Sequence, residues 1–150
     1  REGMNGNRDI LLVEDNPDDV ELTRIAFAEA GSAHRFSVVS DGAEALDYLF
    51  ARGAHAGRVA ADLPAVVLLV LTLPKRNGRE VLQAIRANPA TRSLPVVVLT
   101  TSAEPFDVDA VYELGANSYI QKPVEFERFV DAVRQIGLYW LTLNQAPGNP

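Results

Sequence analysis

Two stretches restrict this chain more than any others. Ala65–Leu71 (AVVLLVL) and Pro95–Thr101 (PVVVLTT) are apolar at consecutive positions rather than at alternate ones. A strand with one face in water alternates apolar and polar residues, whereas a strand covered on both faces does not. Valine-rich runs of this length fit strands of a parallel sheet with helices on each side. Ile10–Val13, Phe36–Val39 and Ser118–Gln121 add shorter strand-like runs. Between the runs, helical character extends over Asp18–Ala30, Ala43–Ala51, Arg79–Ala87, Phe106–Leu114 and Glu125–Leu143. Each spacer is long enough for a right-handed crossover. The alternation predicts one doubly wound α/β domain.

The helix ends carry their own chemistry. Asn16-Pro17-Asp18-Asp19 offers a capping side chain, a proline preset for the first helical position, and two acids at the positive end of the macrodipole. Asp41-Gly42-Ala43-Glu44 and Asn77-Gly78-Arg79-Glu80 read as further helix starts, and Gly31 and Gly115 stand where left-handed caps are expected. Phe126, Phe129, Val130 and Val133 recur at helical spacing in the last helix, a stripe that reads as core packing.

Composition removes several chemistries. The chain has no cysteine, which excludes disulfides, thiol catalysis and Cys-type metal sites. Its two histidines, His34 and His55, lie too far apart for a helical ligand pair. Lys and Arg number 14 against 20 Asp and Glu, a net charge of −6 that argues against nucleic acid as a partner. No apolar run reaches the ~20 residues that span a bilayer. Arg1–Arg8 is polar and lacks the apolar core of a secretory signal, so a cytoplasmic protein is expected. The flanks 1–7 and 144–150 read as flexible tails around a domain spanning residues 8–143.

In a doubly wound sheet, ligand chemistry gathers at the carboxyl ends of the strands. Here those ends carry Glu14-Asp15, Val70-Leu71-Thr72-Leu73-Pro74, Thr100-Thr101-Ser102 and Lys122-Pro123. Adjacent carboxylates, hydroxyls and an ammonium group converging on one spot suit a hard divalent cation and a phosphoryl group. Each element is weak by itself, since an acidic pair before a helix is often only a cap. Their joint occurrence, in order and at the right strand ends, is the specific signal.

These residues resemble the receiver domain of bacterial two-component response regulators, over about Arg8–Trp140. The resemblance rests on ILLVEDN at 10–16, Leu73-Pro74 with Asn77-Gly78, PVVVLTTS at 95–102 and GANSYIQKP at 115–123. Within the family, the chain looks most like the small regulators that partner phytochrome-type kinases. The resemblance implies a flavodoxin-like (βα)5 three-layer sandwich with strand order 2-1-3-4-5. It implies that Glu14 and Asp15 hold the divalent cation, with the backbone carbonyl of Thr72 completing the metal shell. Thr100 matches the hydroxyl that turns toward the phosphoryl oxygen, Lys122 the lysine that pairs with it, and Tyr119 the aromatic switch. Thr101 stands where side-chain size tunes access to the site.

One position departs from the pattern. The family's phosphoaccepting aspartate stands four residues before the proline, and here that residue is Val70. Valine has no lone pair, so it neither attacks a phosphohistidine nor ligates a metal. Asp62, before the third strand, and Asp41, after the second, stand at the wrong places to replace it. Loss of one carboxylate also removes like-charge repulsion and weakens affinity for Mg2+. Lys122, paired with Asp15 or Glu14, is then expected to serve as the resident cation.

The expected function is that of a single-domain response regulator that acts by protein contact, is not phosphorylated at position 70 and is not an enzyme. Its expected partner is a histidine kinase or a phosphotransfer protein. A homodimer is expected through the face made by the fourth helix, fifth strand and fifth helix, with Tyr112, Tyr119 and Phe129, and through the apolar Tyr139-Trp140-Leu141-Thr142-Leu143 extension. The alternative is a natural pseudo-receiver that works without phosphorylation. A flavodoxin-like enzyme is the distant reading, because the turn after the first strand has no glycine to cradle a phosphate and no G-x-S-x-G occurs.

Overall fold

Valine and leucine at every position of a strand leave it no face for water, and the computed structural model places these strands at the centre of a sheet. It describes residues 9–29, 35–59, 62–70, 77–100, 112–113, 115–116, 118–121 and 126–136. Five strands, β1 (Ile10–Val13), β2 (Phe36–Val39), β3 (Val66–Val70), β4 (Val96–Thr100) and β5 (Ser118–Gln121), form one parallel sheet of order β2-β1-β3-β4-β5. Three strands have the expected limits, and β3 and β4 begin one residue later than expected. Every residue of β1 and β3, and Val96–Leu99 of β4, is buried. Burial of one such side chain is worth about 1.5–3 kcal/mol, so the three inner strands dominate the core.

Helices α1 (Pro17–Glu29), α2 (Gly42–Phe50) and α3 (Gly78–Ala87) connect the strands, and a last helix spans Phe126–Ile136. Right-handed crossovers put α1 on one face of the sheet and α2 and α3 on the other, because the chain reverses direction across the sheet after β2. The contacts agree: α1 packs with the last helix, and α2 packs with α3. The three expected layers follow. Of the fourth expected helix, Tyr112 and Glu113 are described and are helical. Gly31 lies outside the described residues.

The helix starts form as the sequence suggests. Asn16 Oδ1 accepts the backbone N–H groups of Asp18 and Asp19 at 2.8 and 3.2 Å. Asp41 caps α2 by accepting Glu44 N–H at 2.7 Å. At α3, Asn77 accepts Glu80 N–H at 3.0 Å while Glu80 accepts Asn77 N–H at 3.2 Å, a reciprocal capping box. Two features were not foreseen. Helix α2 ends on Ala51 in the left-handed region (φ 54°), and a 3-10 turn follows at Gly53–His55. Gly115, expected as a cap, has φ +102° and donates to Tyr112 O at 3.0 Å.

Candidate functional site

Parallel strands deliver their carboxyl ends to one edge, and the register fixes which residues meet there. Val13 is paired with Leu69, so Glu14 and Val70 stand side by side one step further on. Val70 is paired with Leu99, and Thr100 with Gln121. Glu14, Asp15, Val70 and Thr100 are thus brought to the same edge, as the sequence predicts. Tyr119 is paired with Val98, two residues before Thr100. Thr72, Thr101 and Lys122 lie outside the described residues, so the expected pairing of Lys122 with the acids does as well.

Glu14 is 3% exposed, an uncommon position for a carboxylate. Its backbone N–H donates to Val39 O at 3.0 Å, which ties β1 to β2 just past the sheet, and its Oε2 accepts Asn16 N–H at 3.3 Å. Asp15 is exposed. Helix α1 starts two residues later, so its N-terminal partial charge lies beside both acids. Val70 is 8% exposed and forms an apolar wall next to Glu14.

Mg2+ takes near-octahedral oxygen coordination, several positions of which water can fill, and Ca2+ takes six to eight oxygens. Among the described residues, no group of three or more His, Cys, Asp or Glu side chains is placed to hold a metal. Glu14 and Asp15 are present, but the neighbouring strand end offers methyl groups. The described donor set does not fit a tightly held divalent cation.

Sequence reasoning missed two arrangements. Arg86, on α3, donates from Nε and Nη2 to Gly115 O at 2.9 and 2.7 Å, and from Nη1 to Arg92 O and Leu94 O at 2.9 and 2.7 Å. Burial lowers its pKa from the usual arginine value. Glu44 accepts Ser40 N–H at 3.1 Å through Oε1 and bonds His55 Nε2 at 3.0 Å through Oε2. The spacing of Asp41 and Glu44 marks the helix start, but the Glu44 carboxylate reaches one residue further back than a capping box would, to Ser40, which the sequence does not show. Nothing in the sequence marks Arg86.

The sheet order, the covered central strands and the acidic pair after β1 define a doubly wound α/β domain with a polar strand-end site, and its sequence relationships give its family. The pattern of the response regulator receiver domain matches residues 10–134, and the chain belongs to that family. The probable methanogenesis regulatory protein FilR2 of Methanothrix harundinacea is 44% identical over 139 residues, which cover 93% of this chain and 87% of FilR2. Response regulator Rcp1 of Synechocystis is 38% identical over 132 residues, covering 88% of each chain. The phosphorylated cyanobacterial phytochrome response regulator RcpA superposes with a TM-score of 0.84 at 37% identity, over 95% of this chain and all (100%) of RcpA. The Mn2+-bound form of Rcp1 gives a TM-score of 0.82 at 36% identity, over 94% and 99% of the two chains. Members of this family are signalling proteins rather than enzymes.

Proposed function

We propose that this chain is a single-domain response regulator of a phytochrome-type histidine kinase or its phosphotransfer partner. It works through protein contact, and its strand-3 end accepts no phosphoryl group. The observation that carries this reading is Val70 beside the buried Glu14; the sequence resemblance puts the family's acceptor aspartate at that position. The likeness to a phytochrome response regulator supports the choice of kinase.

In this reading, Glu14, Asp15 and the Thr72 carbonyl form a weakened Mg2+ site. Thr100, Thr101 and Lys122 surround the place of the missing phosphoryl group, and Tyr119 is the switch residue. The domain occupies residues 8–143 and acts in the cytoplasm without nucleic acid. It pairs with a second copy through the face around Tyr112, Tyr119 and Phe129 and through the Tyr139–Leu143 extension. The second reading is a natural pseudo-receiver. The presence of Glu14, Asp15, Thr100, Tyr119 and Lys122 around a single altered position favours a competent framework with one substituted residue.

Phosphotransfer tests the proposal. A bacteriophytochrome kinase autophosphorylated with labelled ATP is mixed with this chain or with its Val70→Asp variant. Label is expected to move to the variant alone, while both chains bind the kinase. Label on the unaltered chain, or no binding by either, contradicts the reading.

A further inference from the structure

The peptide unit between Val39 and Ser40 is held from both sides. Its carbonyl accepts Glu14 N–H at 3.0 Å, and its N–H donates to Glu44 Oε1 at 3.1 Å. The other oxygen of Glu44 bonds His55 Nε2 at 3.0 Å. A carboxylate only accepts, so His55 carries the proton on Nε2. A continuous chain of hydrogen bonds therefore runs from His55 through Glu44 and the Val39–Ser40 peptide to the backbone of Glu14, the buried member of the acidic pair.

His55 belongs to an excursion between α2 and β3 that is long for its place. Its side chains fold it back onto α2. Arg52 pairs with Asp47 at 3.1 Å, while Arg58 lies over the Tyr48 ring at 3.8 Å and donates to Tyr48 O. The His55 ring meets the Tyr48 ring edge-on, with centroids 5.2 Å apart. Among the described residues, Glu44 and Tyr48 of α2 contact His55, and the neighbouring charges are Asp47 on α2 and Arg52 and Arg58 on the excursion. The His55 side chain is 24% exposed, so solvent protons reach it.

We propose that the segment Ala51–Val59 is a proton-sensitive strap whose state is transmitted from His55 through Glu44 to the backbone beside Glu14. Histidine changes charge near neutral pH. A proton on Nδ1 turns the bond to Glu44 into an ion pair, which is shorter and stronger. Charge on Glu44 is drawn toward Oε2 and away from Oε1, so the bond from Ser40 N–H weakens. The polarised peptide passes the change to the Glu14 N–H bond, since linked hydrogen bonds polarise one another.

Amide NMR of the full chain, followed as the pH is lowered from 8 to about 5, tests it. The Ser40 amide is expected to shift with the same midpoint as the His55 ring, and the Glu14 amide to follow with smaller amplitude. In His55→Gln, which keeps a donor without titrating, both shifts are lost. In Glu44→Gln, the His55 ring still titrates but Ser40 no longer follows. A Ser40 amide that ignores the His55 midpoint overturns the proposal, as does a transition that survives in His55→Gln, which would then arise from another group such as His34.

Discussion

Arg86 shows how much one half-buried side chain can hold. Its guanidinium serves three carbonyls, at the turn before β4 and at Gly115 before β5. Arg86→Ala leaves these acceptors unsatisfied, and chemical denaturation is expected to show a loss of about 3 kcal/mol. Lysine restores little of it, because a single ammonium cannot reproduce the planar fork. Gly115 belongs to the same unit: a Cβ there would stand 2.7 Å from Arg86 Nε. The Arg86 bonds were not legible in the sequence, since the acceptors lie 6, 8 and 29 residues away; only the turn at Gly115 was. Glu14 and Asp15 were legible because they follow directly on the apolar run of β1, and Val70 because it stands four residues before Pro74, where the family pattern has an aspartate. The sequence could not tell that Glu14 is buried while Asp15 is exposed, which depends on how β2 and α1 close over the strand end.

At the scale of elements, the helix starts agree with the sequence and one helix end does not. Asn16, Asp41 and Asn77 cap because a short side-chain oxygen reaches back to a free N–H. Removal of the α3 capping box by Asn77→Ala is expected to cost about 1 kcal/mol. Helix α2 ends on a left-handed alanine, so Ala51→Gly is expected to stabilise the chain by up to about 1 kcal/mol, net of glycine's entropy cost. Urea midpoints of the two variants, moving in opposite directions, check both statements. Strands were the most legible elements, because a fully covered strand has only apolar residues to show. The 3-10 turn at Gly53–His55 was not legible: it is held by backbone bonds such as His55 N–H to Arg52 O at 3.0 Å and has no buried residue to set a period.

For the molecule as a whole, Val70 changes both the charge and the stability of the sheet edge. An aspartate there faces the buried Glu14, and like charges about 4 Å apart repel by on the order of 4 kcal/mol at an effective dielectric near 20. Val70→Asp is therefore expected to lower the thermal midpoint in the absence of divalent ions. Mg2+ is expected to restore the variant and to leave the unaltered chain nearly unchanged, because binding to the folded state alone stabilises it. Equal responses of the two proteins to Mg2+ would count against this account. Whether position 70 decides if the domain accepts a phosphoryl group can be measured without any partner. Both proteins are incubated with acetyl phosphate and Mg2+ and weighed intact by mass spectrometry. Val70→Asp is expected to gain one phosphoryl group and the unaltered chain none. A phosphoryl group on the unaltered chain, or none on the variant, would contradict this expectation.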